Sequence, residues 1–313
     1  MRRAAVIALC ALLLGCSEYS TSTPLPGSRV LLVVNSLGNS VIVYHVTGGT
    51  ATAVQTITGP STGLNYPTGV GFSQGNIFVA NNQADIVTVY PAAATGDAAP
   101  LTTIAGANPG LDHPTDIDIE SPGRVYVGNS NGNSVRIFAP NAMGNAIPLA
   151  SIVGPTTALN HPVALHHDAA GNIYVVNTAN ATVTTYNQAA VLASISGDVA
   201  PYATIAGALT GLVSPSGIVL DSAGNVYVTN DFPESITVYA PNPNGNVAPI
   251  ATIGGAATTL NGEGDIDIVA NQLVVANTGA NDLIAFPLSG NGNIAPTYTI
   301  SSGLNFPNGL GTE

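Results

Sequence analysis

Two copies of the string Asp-Ile-Asp-Ile, at Asp116 to Ile119 and Asp265 to Ile268, and four histidines between His113 and His167 are the residues of this 313-residue chain best equipped for chemistry. Acids two apart in an alternating apolar run fall on one side of a strand. Two such strands facing each other across a narrow space could hold a hard cation such as Ca²⁺, which takes oxygen ligands, through Asp116 and Asp265. The plainer reading makes these acids hydrated groups along a wet channel. His113 and His161 each stand just before a proline, and His166 and His167 follow shortly after. Imidazoles on neighbouring elements could converge on a transition metal, or serve as acid and base in hydrolase or lyase chemistry. Tyr66 and Phe306 fill the same place before Pro67 and Pro307, so packing is the simpler account of that slot. No zinc-type cysteine pairing or phosphate loop accompanies these residues.

The elements that must position them are short. Charged residues make up only 7% of the chain, with five arginines, no lysine and 17 acids for a net charge of −12. Coiled coils, disordered polyampholytes and nucleic-acid binders all need more charge than this, the last of positive sign. Hydrophobic residues at 45%, with 35 glycines and 22 prolines, supply a large core interrupted by frequent turns, which points to an all-β fold.

The first sixteen residues carry Arg2 and Arg3, an apolar run from Ala4 to Leu14, then Gly15 and Cys16. At about 1.5 Å per helical residue such a run covers roughly half of a bilayer core, the length of an export signal. Leu13-Leu14-Gly15-Cys16 resembles a bacterial lipobox. That resemblance implies a signal peptide over residues 1–15, an acylated Cys16 and, with Ser17 in place of Asp, sorting to the outer membrane. Residues 16–28 then read as the lipid-bearing Cys and a flexible, polar tether. Cys10 leaves with the signal, so the mature chain has no thiol for a disulfide or metal. The expected partners are the membrane through its lipid and an unidentified envelope protein or small ligand. The expected state is a monomer. Losing Arg2 and Arg3 makes the mature charge −14, which disfavours anionic partners, nucleic acid included.

From residue 29 onward one unit recurs six times. An Asn closes an apolar run at 35, 81, 129, 177, 230 and 277, and an aromatic closes the next at 44, 90, 138, 186, 239 and 286. Both series advance by 46, 48, 48, 53 and 47, so the longer stride marks an insertion between Tyr186 and Pro201. The landmarks bracket a hairpin. A start such as LNYPTGVGF precedes five copies, and a stretch such as GDAAPLTTIAG follows five. Four short strands at this period are the mark of a propeller blade, and a single blade cannot bury both faces, so the copies must stack in a ring. The first copy lacks its start, while the chain finishes on an orphan one, Leu304 to Glu313. Joining them predicts a six-bladed β-propeller with four antiparallel strands per blade, closed by the C-terminal strand. Its blades are 304–313 with 29–63 (blade 1), then 64–110, 111–158, 159–211, 212–259 and 260–303 (blades 2 to 6).

A Pro near the start of the first strand, the string Gly217 to Asp221 and the following Gly-Asn-x-Tyr-Val resemble the NHL repeat family over residues 29–313, which implies the propeller fold and leaves activity open. In blade number the chain is also similar to gluconolactonase-like and paraoxonase-like propellers. That similarity implies a central Ca²⁺ held by Asp116, Asp265, Glu263 and the Asn ring, although those enzymes' Pro-Asp-Gly start is Pro67-Thr68-Gly69 or Pro215-Ser216-Gly217 here. One face of the ring collects Asn35, Asn81, Asn129, Asn177, Asn230 and Asn277 with the strand starts, and it surrounds the channel mouth together with Glu263. Turn chemistry accounts most simply for the six Asn. The expected function is an envelope-anchored binding or scaffolding module. The alternative is a metal-dependent hydrolase or lyase, lactonase-like, using Asp116, Asp265, His113 and His161 on that same face.

Overall fold

In the computed structural model, which describes residues 29–313, every apolar run of the repeat becomes a strand, because β-branched and aromatic residues alternate through it and Gly, Asn or Asp ends it. The signal, Cys16 and tether readings lie outside the described residues. Six separate four-stranded antiparallel sheets result, each of consecutive strands except one. The exception is blade 1, where Pro307–Thr312 is innermost, followed outward by Arg29–Asn35, Ser40–Thr47 and Thr50–Thr58. Its closing pairs are Leu31 with Thr312, Val33 with Leu310 and Asn35 with Pro307. The ring is therefore sealed by main-chain hydrogen bonds between the two ends of the described chain. The other inner strands are Pro67–Ser73, Pro114–Glu120, Pro162–His167, Pro215–Leu220 and Glu263–Val269, in blades 2 to 6.

Hydrophobic packing forms six wedges between neighbouring blades. In one, Leu32, Val34 and Val43 of blade 1 meet Val70, Ile77 and Tyr90 of blade 2. Another joins blade 6 to blade 1 through Val274, Leu283, Leu31 and Leu310. A buried side chain of this size contributes about 1.5–3 kcal/mol. No blade can keep that contribution alone, which is why closure matters.

The downstream motif differs from its expected form. Only three or four residues of each such stretch form an outer strand, as in Thr102–Ile104. The Gly-Asp or Gly-Asn that precedes it reaches back to the previous blade instead. Single parallel bridges join Ile57 to Gly96, Ile104 to Gly144, Ile205 to Gly245 and Ile253 to Gly292. Beside them the side chains of Asp97, Asn145, Asp198, Asn246 and Asn293 accept backbone N–H groups of the preceding blade, as Asp97 does from Ser61 at 2.6 Å. At Gly59, with φ 133°, a Cβ would fall 2.5 Å from Asp97 Oδ1, so this clasp requires glycine. Among the described residues the junction of blades 6 and 1 has no clasp, because blade 1 joins its last two strands by a tight turn at Gly48-Gly49. The insertion expected after Tyr186 contains the helix Gln188–Ala193, capped by Asn187 and seated by buried Val191.

Candidate functional site

The Asn ring is structural. All six residues are at most 1% exposed, so they are not ligands displayed at the mouth. Each side-chain carbonyl accepts the N–H of the residue two before the inner strand of its own blade, at 2.6 to 3.1 Å, as Asn81 does from Asn65 and Asn230 from Val213. Each amide donates to a polar side chain on the third strand: Ser40, Thr88, Ser134, Thr184, Thr237 or Asp282. Asn is needed because it both donates and accepts, which Asp cannot do. Asn230→Ala is expected to lower stability by about 2–4 kcal/mol, since it strands a backbone donor and removes several buried bonds. Chemical denaturation would show it, and an unchanged midpoint would contradict this role.

The Asp-Ile-Asp-Ile strings line the channel. Asp116 Oδ2 accepts the N–H of Leu165 in blade 4 at 2.8 Å, and Asp265 Oδ2 that of Leu310 in blade 1 at 3.1 Å. Each thereby satisfies the free edge of the next inner strand. At the same level Gly69, Gly217 and Gly309 let neighbouring inner strands touch backbone to backbone. The two Asp thus mark two wider seams on opposite sides of the ring. Asp116, Asp118, Asp265, Asp267 and His166 surround a cavity of about 180 Å³. Burial pushes Asp116 up to about 7, with Asp118 and Asp267 adding to it. Burial and the Asp116 charge hold Asp265 well above the ordinary range, and burial raises Asp267. Asp118 behaves oppositely. Burial would raise it, but the hydrogen bond from His167 and the charges of His166 and His167 hold it low. Asp118 Oδ2 accepts from both the backbone N–H of His167, at 2.7 Å, and its Nδ1, at 2.5 Å. His167 lines a second cavity of about 410 Å³ on the face opposite the Asn ring, with Tyr174 and Asp221.

His113 and His161 do not join Asp116 and Asp265. They lie on the rim of the Asn face in left-handed backbone, φ 51° and 54°, as do Tyr66 and Phe306. Each backbone N–H is held by an Asn or Asp of the previous blade: Asn39 for Tyr66, Asp85 for His113, Asn133 for His161 and Asn281 for Phe306. The slot is defined by that backbone bond more than by packing of its ring. Among the described residues, the only three His, Cys or acidic side chains with donor atoms within 4.8 Å of one another are Asp85, Asp112 and His113, which are partly exposed on this rim. The Asp116–Asp265 pair, expected to hold a hard cation, and His113 and His161, expected to converge on a transition metal or act as acid and base, thus lie in separate places.

Glu263 stands at the Asn-face mouth, where a cavity of about 410 Å³ is lined by Thr68, Thr115, Ser216, Asp231, Phe306 and others. It is 3% exposed, and neither carboxylate oxygen has a hydrogen-bond partner. Asp231 Oδ1 is likewise buried and unpartnered. Burial pushes Glu263 up to about 8, with Asp231 and Glu234 contributing. Burial also raises Asp231. Asp231 is the residue that sequence reasoning missed, though a signal existed. It follows Asn230 at a position held elsewhere by Ser36, Asn82, Ser130, Thr178 and Thr278, and Glu263 takes a place held in the other five blades by Pro.

No family model matches the chain, and no curated protein does. Among solved structures, a chain of a nidogen/laminin complex is similar at 16% identity and TM-score 0.65, over 91% of this chain and 98% of that one. The WD40 β-propeller domain of Doa1 is similar at 11% identity and TM-score 0.58, over 88% and 80%. A catalytically inactive virginiamycin B lyase from Staphylococcus aureus is similar at 12% identity and TM-score 0.53, over 84% and 82%. Likeness at these identities establishes the propeller fold alone, and the three names differ in function accordingly.

Proposed function

We propose that this chain is a binding propeller of the bacterial cell envelope, lipid-anchored through Cys16 on the outer membrane, whose ligand site is the channel mouth on the Asn face. The observation that carries the reading is Glu263, a buried carboxylate without a partner beside a cavity large enough for a small molecule. Elsewhere in the ring the same position is a proline that needs nothing. A group so costly to bury is retained where it meets something the free protein lacks. Anchoring leaves the propeller free to meet solutes or envelope proteins. Native mass spectrometry of the chain isolated from its own envelope tests the site. A small-molecule adduct is expected, and it should vanish in Ser216→Trp, which fills the mouth. An adduct that survives the substitution, or none at all, counts against the reading. For the anchor, Cys16→Ser should abolish labelling by a clickable fatty acid and release the protein into the soluble fraction. Labelling that persists would refute the lipobox.

A second reading, a hydrolase or lyase, has one specific support. Asp118 fixes His167 through Nδ1, the arrangement that readies the other ring nitrogen for proton transfer. That pair borders the opposite mouth, so an acid–base site would be there and would not involve His113, His161 or the Asp116–Asp265 pair.

A further inference from the structure

At three junctions of the ring, the residue after the landmark Asn donates to the carbonyl of the proline opening the next inner strand. Ser36 Oγ bonds to Pro67 O at 2.6 Å, Asn82 Nδ2 to Pro114 O at 3.2 Å and Thr278 Oγ1 to Pro307 O at 2.7 Å. Between blades 5 and 6 the donor is replaced by Asp231 and the proline by Glu263. Two acidic side chains line one cavity there, whereas those three junctions place a neutral donor against a backbone carbonyl. Glu263 Oε1, Glu263 Oε2 and Asp231 Oδ1 are all buried and accept nothing. Leaving such groups bare is costly, and more so when they are charged.

We propose that Glu263 and Asp231 form a recognition site for the primary ammonium group of a small amine entering through the Asn-face mouth. The inference rests on the mouth being the ligand site and adds the chemistry of the ligand. An ammonium has three N–H donors and no acceptor, so it suits these oxygens once Glu263 has released its proton. A hydroxyl would bring one donor and lone pairs of its own. A divalent ion such as Ca²⁺ takes six to eight oxygen ligands, more than these two carboxylates supply. The walls of the mouth agree. The hydroxyls of Thr68, Thr115 and Thr278 already donate to Pro114, Pro162 and Pro307 carbonyls, so toward a ligand they offer lone pairs. No Arg or Lys lines the cavity, and the Phe306 ring borders it, a surface that tolerates a cation.

Titration calorimetry and thermal melting of the full chain decide it, using glucosamine, cadaverine and benzylamine, each beside its hydroxyl counterpart (glucose, 1,5-pentanediol, benzyl alcohol), and CaCl₂ alone. At least one amine is expected to bind about tenfold or more tightly than its counterpart and to raise the melting temperature. Both effects should be lost in Glu263→Gln and weakened in Asp231→Asn, variants that keep the shape and remove the charge. If an alcohol binds as well as its amine, is indifferent to Glu263→Gln and is lost in Ser216→Trp, the ammonium is overturned and the mouth stands. A Glu263-dependent shift with CaCl₂ and none with amines overturns it in favour of a metal. Silence from every compound overturns the ammonium and leaves the mouth to the adduct measurement in Ser216→Trp.

Discussion

A Gly309→Ala chain is expected to lose about 3 kcal/mol or more of stability and to melt several degrees lower. Gly309 lies in the last inner strand, the one that seals the ring. A Cβ there would fall 2.2 Å from Thr68 O and 2.9 Å from Gly69 Cα, both backbone atoms of the neighbouring inner strand. No flexible side chain is available to yield, so the strand must retreat from blade 2 or lose its register with Arg29–Asn35. Either movement opens the wedge in which Leu310 packs against blade 6. The matched control is Ala164→Gly, at the equivalent place in blade 4, where the ring already accommodates a methyl group. That change should lower stability by only about 1 kcal/mol. Thermal melts of the two variants beside the parent are sufficient. Equal midpoints for all three would show that the inner strands are not held in backbone contact.

The second large effect concerns pH. Glu263 is pushed from an ordinary 4.5 up to about 8, and Asp116 from 3.8 up to about 7, both chiefly by burial. An acid with a raised folded value binds its proton more tightly when folded. Its stabilising contribution is complete below the unfolded value and declines as pH rises to the folded one. Asp118, Glu120 and Asp221 are held low, mainly by hydrogen bonds that outweigh burial, and destabilise only as pH falls below the ordinary carboxylate range. The protein should therefore be most stable near pH 4 to 5 and weaken steadily toward pH 8, an inverted profile for a protein with so many acids. Glu263→Gln removes one source of the decline. At pH 8 it should stabilise the free protein by about 2–4 kcal/mol, each pH unit of displacement being worth 1.36 kcal/mol, and at pH 4 it should change little. Melting curves at unit pH steps would test both statements. A parent that gains stability between pH 5 and 8 would refute the first, and a variant indistinguishable from it at pH 8 the second.

The fold was legible because two landmarks with equal strides can arise only from a repeated unit, and because the missing start of the first copy matched the orphan start at Leu304. Placement around the ring was legible for the same reason, so Asp116 and Asp265 do fall in opposite blades. Side-chain direction was not. Asn81 and its equivalents sit where a turn begins, which suggests exposure, but the link before each inner strand folds over them and buries both ends of the amide. His113 and His161 align with each other in sequence, yet their left-handed backbone leaves them on the rim, and the paired imidazole is His167, one strand position beyond the channel. Asp231 is not legible from what the copies share. The information lay in where one copy departs from the others, at two positions fifth and sixth around the ring that only the three-dimensional junction brings face to face.

The antiparallel closure has a mechanical corollary. Arg29 and Thr312 leave their two strands at the same end of one ladder. Tension between the chain termini would part that ladder rung by rung, as a zip opens, and never load all its bonds together. Among the described residues, blades 6 and 1 also lack the outer clasp found at the other junctions. Under load the circle should yield there first, at forces far below those needed to shear a blade, so single-molecule extension should show an early, low-force opening whose length is that of the terminal strand.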